Sequence, residues 1–167
     1  ISRHAVGAIN GKNFMNPVSI EGQGELNSQG IDLNASAKLV FEDGSLAEVK
    51  SATNLSSASD VEISDGKTTI VLNQPWHCGE FTERKSQITL KKSNGDEESI
   101  DITTDKGLYA LEIDHFSENL KNQNTESDLI PHNDSHGNMI ALDTWRKALK
   151  VVYDEDRGER RQLPIIS

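Results

Sequence analysis

Trp76 and His77 are the residues of this chain whose types and placement best suit them to meet a ligand. They stand in Leu72-Asn73-Gln74-Pro75-Trp76-His77-Cys78-Gly79, where a rigid proline precedes a large aromatic and an imidazole, in a sequence with 5% aromatic residues. Loops at strand ends commonly carry binding groups; an indole can stack on an apolar ring face and an imidazole can hydrogen-bond a hydroxyl. Lining a pocket and capping the core beneath a loop are both open to Trp76. His77 and Cys78 do not make a base and its nucleophile, because neighbours on an extended chain point to opposite faces.

Other constellations carry less. His132, Asp134 and His136 lie close together, but Asn133-Asp134-Ser135 between them is helix-capping chemistry, and the helix is expected to begin there, after His132. Glu112 with His115 is half of a carboxylate-bridged metal motif whose second half is missing, so a solvated helix face is the better reading. Gly22-Gln23-Gly24 begins a dinucleotide fingerprint, yet Asn27 holds the third glycine position and no helix signal follows. Glycines inside an alternating strand mark a bulge or a close approach instead. There is no Gly-x-Ser-x-Gly elbow and no Gly-Lys-Ser/Thr phosphate loop. No catalytic, cofactor-binding or metal-ligating residue is therefore assigned to this chain.

The elements that must position these residues follow from periodicity. Ser2 to Asn10 places Ala5, Val6, Ala8 and Ile9 near one helical face and ends at Gly11. From Val18 the period becomes two, giving strands near Val18–Leu26, Asn34–Phe41 and Leu46–Ala52, with Glu42-Asp43-Gly44-Ser45 as a turn. Val61–Ile63 and Thr68–Leu72 flank Asp65-Gly66, and Gln87–Lys91 and Ser99–Thr103 flank Asn94-Gly95, both hairpin signals. Beyond Asp105 the period returns to 3.6. Leu108, Leu111, His115 or Phe116 and Leu120 are expected inward on one helix, and Met139, Leu142, Trp145 or Arg146, Leu149 and Val152 on the next. Strands followed by helices predict an α+β fold: an open, largely antiparallel or mixed sheet with helices packed on one face. Val18, Ile20, Leu26, Leu39, Phe41 and Val49 would then need cover on the open sheet face, which predicts self-association there.

The 167 residues fit one domain and a tail, divided as 1–153 and an extended segment 154–167. Seventeen Lys plus Arg against 27 Asp plus Glu give a net charge of −10, which repels phosphate backbones and anionic lipid, so neither nucleic acid nor a membrane is an expected partner. One cysteine forms no intrachain disulfide, which fits a cytoplasmic location. No apolar run approaches the roughly 18 residues needed to span a bilayer. Without an initiator Met at Ile1, the chain is expected to be a piece of a longer one.

Several stretches together resemble the C-terminal domain of the Gfo/Idh/MocA oxidoreductases, in their dihydrodiol-dehydrogenase-like branch. Phe14-Met15-Asn16-Pro17-Val18 with Leu39-Val40-Phe41-Glu42-Asp43-Gly44 is similar to the family's post-helix strand and hairpin, and Gln74-Pro75-Trp76 to a strand-end segment. The most specific stretch runs from Tyr109 through Glu112, His115 and Phe116 to Thr125-Glu126-Ser127, Pro131-His132-Asn133-Asp134-Ser135, Met139, Leu142-Asp143 and Arg146. Asp128, where many relatives have Pro, and Ser64-Asp65-Gly66, which replaces the usual first glycine of a turn, depart from the pattern. The larger departure is that the family's N-terminal Rossmann domain and its catalytic Glu-Lys-Pro lysine have no counterpart here.

The resemblance implies the substrate-binding and oligomerisation domain of an NAD(P)-dependent oxidoreductase acting on a sugar, polyol or other secondary alcohol. NAD or NADP would be bound by the domain that this chain lacks. Trp76 and His77, then Tyr109, then His132 are the expected substrate-binding residues, and a homo-oligomer is the expected assembly. The alternative is a stand-alone, non-catalytic binding or assembly module.

Overall fold

The computed structural model describes residues 1–56, 59–73, 75–77, 85–153, 156 and 158. Helix α1 (Ser2–Ile9) leads into strands β1 (Ser19–Leu26), β2 (Asp32–Val40), β3 (Leu46–Ala52), β4 (Val61–Ser64) and β5 (Thr68–Leu72). A single 3-10 turn, Pro75–His77, precedes β6 (Lys85–Lys92), β7 (Glu97–Thr103), α2 (Leu108–Lys121) and α3 (His132–Ala148). Among the described residues, no helix is long and apolar enough to cross a membrane. The tail 154–167 lies outside the described residues except at Asp156 and Gly158.

The α+β composition and antiparallel pairing agree with the periodicity, but the single sheet expected from it is two. One has the order β1-β2-β3 and the other β4-β5-β6-β7, and every pairing is antiparallel. The chain forms two compact units, Ile1–Ser56 with Leu129–Ser167, and Ser57–Asp128. Consecutive hairpins account for both sheets, since within each sheet every strand pairs with its sequence neighbour.

In the first unit, register places Ile20, Leu39 and Ala47 in one row and Gly22, Ala37 and Val49 in the next. These rows form the covered face: Val6, Met15, Ala37, Leu39 and Phe41 make the core, with Ile20, Ala47, Val49 and Trp145 packed against it. Ile20, Leu39, Phe41 and Val49 are therefore not on an open face. The opposite face carries Glu21, Lys38 and Glu48 in one exposed row and is polar. A one-residue step along a strand exchanges faces, so alternation revealed the apolar set but not which side the helices would take.

α3 covers this sheet with Trp145 and Leu149 inward, as expected, but the rest of the expected face is not turned to the sheet. Met139, Leu142 and Val152 are exposed, and Gly137, Ala141, Trp145 and Leu149 turn inward. The sheet surface beneath is built of Gly22, Gly24, Ala35 and Ala37, so the helix comes close. A methyl group on Gly22 would lie 2.7 Å from Trp145 Cδ1, and one on Gly24 would lie 2.5 Å from the Asn34 carbonyl oxygen and 3.0 Å from Leu149 Cδ2. Trp145 Nε1 donates to the Ser36 carbonyl at 3.1 Å, which fixes the ring.

α1 is held by the same kind of approach. A methyl group on Gly7 would come within 2.6 Å of Phe14 N and 2.8 Å of Phe14 C. Alanine in a helix is ordinarily favoured over glycine by about 1 kcal/mol, but here the added carbon meets backbone, which cannot rotate away. Gly7→Ala is therefore expected to destabilise the protein by about 1–3 kcal/mol, the range of overpacking. Urea unfolding followed by Trp145 fluorescence checks the sign, and a stabilised variant would contradict the close approach.

The second unit is thinly cored. On one face of its sheet, Val61, Leu72, Ile88 and Ile100 align, as do Ile63, Ile70 and Leu90, and Ile102 extends the surface; none of these is buried. The other face carries Val71, the only buried hydrophobic among the described residues of this unit, and Thr89. The β4–β5 turn is locked by Asp65, whose carboxylate accepts from the backbone N–H of Thr68 at 2.7 Å and of Lys67 at 2.8 Å. Those two bonds, the Thr68 one foremost, stabilise the carboxylate and hold its pKa below the usual carboxylate range. The inward face expected for α2 is also exposed, at Leu111, Phe116 and Leu120.

Candidate functional site

Pro75 starts the 3-10 turn that follows β5, because its fixed φ suits the first position of a helical turn. This places Trp76 and His77 in a compact turn at a strand end, and Trp76 is 59% exposed. Tyr109 is the second residue of α2 and is exposed; His132 is the first residue of α3 and is exposed. Trp76, His77 and Tyr109 belong to the second unit, and His132 to the first. Cys78 and Gly79 lie outside the described residues.

The first turn of α3 differs from the capping expected of Asp134-Ser135. The helix begins at His132, its N-cap is Pro131, and no side chain caps it. Asp134 instead turns into the interior. Its Oδ1 accepts from Arg3 Nη1 at 2.6 Å, and the same nitrogen donates to the Asp134 carbonyl at 3.1 Å. Arg3 Nε and Nη2 both donate to Asn16 Oδ1, at 3.0 and 2.7 Å, and the guanidinium carbon lies 4.9 Å from the centroid of the Phe14 ring. His4 adds a second strand to the clasp: its Nδ1 donates to the Asn13 carbonyl at 3.0 Å and its Nε2 meets Asp134 Oδ2 at 3.1 Å. Gly137 completes the fit, since a methyl group there would lie 2.6 Å from Arg3 Nη2.

Sequence reasoning missed this clasp. Its only local signal was Arg3, a cation in the short apolar helix α1, and its partner stands 131 residues away. Asn16 and Gly137, which fit against Arg3, also line a cleft of about 270 Å³ bounded by Val18, Ile20, Ile140 and Thr144. Thr144 Oγ1 donates to the Ile140 carbonyl at 2.8 Å, so the cleft offers an apolar surface with few directed polar groups. It suits a small apolar group, not a dinucleotide.

His115 also has a developed environment. Its Nε2 lies 2.8 Å from Ser127 Oγ, 3.0 Å from Asn119 Nδ2 and 3.6 Å from Asp128 Oδ1. A catalytic triad needs serine and carboxylate on opposite ring nitrogens, and here both meet the same one, so the group ties α2 to the chain that follows it. Among the described residues, no three His, Cys, Asp or Glu side chains converge as metal ligands would.

No family model and no curated protein matches this chain. Two crystal forms of UDP-N-acetylglucosamine 3-dehydrogenase GnnA from Acidithiobacillus ferrooxidans share its fold. One superposes with a TM-score of 0.66 at 13% identity over 89% of this chain and 46% of the other, and the second with 0.63 at 13% identity over 90% and 46%. The chain thus spans under half the length of these solved structures, and at such identity the likeness concerns the fold.

Proposed function

We propose that this chain is the substrate-binding and oligomerisation part, over residues 1–153, of an NAD(P)-dependent oxidoreductase acting on a secondary alcohol of a sugar, a polyol or a related compound. The observation that carries the reading is the fold likeness of nearly the whole chain to part of a UDP-N-acetylglucosamine 3-dehydrogenase. The motifs from Tyr109 to Arg146 support it independently. In the proposed enzyme, Trp76 and His77 are the first candidates for the pocket rim, the indole to stack on a sugar face and the imidazole to hydrogen-bond a hydroxyl, and Tyr109 of the same unit is the second; His132, in the other unit, is a separate candidate for a hydroxyl hydrogen bond.

The described residues of this chain do not fit the dinucleotide itself. Gly22 and Gly24, the start of the failed fingerprint, sit inside β1 with Trp145 and Leu149 filling the space above them. The pyrophosphate needs a glycine-rich turn between a strand and a helix. NAD or NADP is therefore assigned to another part of a longer protein, and this chain contributes substrate position.

Self-association belongs to the same proposal, with its location changed from the strands of the first unit to the apolar face of β4–β7. Two copies facing each other there would bury Ile88, Ile100 and Ile102 in an isologous contact, with the acidic residues left at the rim.

Fluorescence titration of the 167-residue chain with NADH and NADPH tests the division of labour. No saturable binding is expected, and a micromolar dissociation constant would overturn it. In the protein extended by the coding sequence upstream of Ile1, NAD(P)-linked oxidation of a sugar or polyol is expected. Trp76→Ala there should change the ratio of kcat/KM between substrates with folding intact. An in-frame start codon immediately before Ile1 would instead favour the stand-alone module.

A further inference from the structure

α2 carries Tyr109, Ile113, Phe116 and Leu120 at successive intervals of four, three and four residues. That is the spacing of the a and d positions of a heptad, a narrow seam suited to another helix and narrower than the stripe a helix lays on a sheet. The seam is open: Tyr109 is 63%, Ile113 62%, Phe116 65% and Leu120 65% exposed. Groups off the seam tie α2 to the chain on either side of it, with Lys106 Nζ donating to Asp114 Oδ2 at 2.6 Å and His115 meeting Ser127 at 2.8 Å.

We propose that α2 is an interface that seats, antiparallel, the α2 helix of a second copy of this chain. Self-complementarity selects this occupant. With a two-fold axis between Asp114 and His115, Tyr109 meets the partner's Leu120 and Ile113 meets the partner's Phe116, so each contact sets an aromatic ring against a branched aliphatic side chain. Ala110 and Ser117 flank the seam on one side and are small enough for the backbones to approach. On the other flank Glu112 meets the partner's Asn119, so no like charges face each other across the seam, despite the chain's net charge of −10. Antiparallel packing also opposes the two helix dipoles.

The area is sufficient for a weak but specific dimer. Large apolar and aromatic side chains present about 150–250 Å² each. At roughly two-thirds exposure the seam would remove about 500 Å² per protomer, or about 1,000 Å² in all, the lower bound for a specific interface. This contact is separate from the β4–β7 face and is argued from the exposed seam alone; where it forms, Tyr109 is taken from the substrate site proposed above and the other candidates there are left untouched.

The test is sedimentation velocity over a concentration series, in an Ile100→Glu background that removes the sheet contact. That parent should still dimerise. Adding Phe116→Glu should weaken dimerisation at least about 30-fold, because the pair would bury two unpaired carboxylates. Far-UV circular dichroism and monomer melting should be unchanged, since Phe116 is 65% exposed. Adding Ile113→Lys to Phe116→Glu should restore at least about tenfold, because antiparallel pairing sets each new Lys against a new Glu, whereas parallel pairing would set like charges together. Ile102→Lys replaces Ile100→Glu if the latter fails to fold. A parent that stays monomeric at high concentration, a Phe116→Glu variant that associates like its parent, or a double variant no better than the single one would each overturn the proposal.

Discussion

Asp134→Ala should lower folding stability by about 3–5 kcal/mol, the range for removing one partner of a buried ion pair. Only 7% of the Arg3 side chain and 5% of the Asp134 side chain remain exposed. Without the carboxylate, the guanidinium keeps Asn16 Oδ1 and the Asp134 backbone carbonyl as acceptors but loses its counter-charge in a dry environment. His4 loses its contact with Oδ2 in the same step. Urea unfolding, extrapolated linearly to water, gives the loss. The double variant Arg3→Met/Asp134→Leu separates charge burial from packing. It should recover most of the stability, since well-packed apolar pairs often equal the ion pairs they replace. A loss below about 1 kcal/mol in Asp134→Ala would mean the pair behaves like a solvated surface bridge.

Phe41→Ala should cost a similar amount, about 3–5 kcal/mol, by loss of transfer free energy and creation of a cavity. Phe41 is 1% exposed, the most completely enclosed large side chain among the described residues, and it shares the core of the first unit with Val6, Met15, Ala37 and Leu39. Natural stability is typically only about 5–15 kcal/mol, so this one truncation would remove much of it. Val18→Ala is the control: Val18 adjoins the same strand but is 65% exposed, and its replacement should stay within about 0.5 kcal/mol. Fluorescence of Trp145, which packs on that core, reports the transition in both variants. Equal losses in the two would show that the first unit is not cored around Phe41.

Much of the secondary structure was legible because it rests on short-range physics. Asp43 shows why a turn can be read. Its carboxylate accepts from Ser45 N at 3.0 Å and Ser45 Oγ at 2.8 Å, within the turn itself. Asn10 donates to it as well, and these hydrogen bonds, the Asn10 one foremost, hold its pKa below the usual carboxylate range. Strands β3 and β5 run over Leu46–Ala52 and Thr68–Leu72, as the alternation implied, since each step of two along a strand returns to the same face. The candidate site was less legible. Trp76 and His77 stand out by type, but residue type does not say which unit a side chain joins, and His132 falls in a different unit from the other three.

By itself the sequence determined the α+β order of elements, the hairpins and their turns, the acidic surface and the failure of the dinucleotide fingerprint, all of which depend on residues close together in the chain. Tertiary structure decided the rest. It divided the strands between two sheets, seated Trp145 over Gly22 while leaving Met139 and Leu142 of the same helix exposed, and drew Asp134 away from capping to Arg3. It also left the seam of α2 and the isoleucine-rich face of β4–β7 uncovered. Each of these depends on which surface meets which across long sequence separations, where packing and desolvation outweigh local preference.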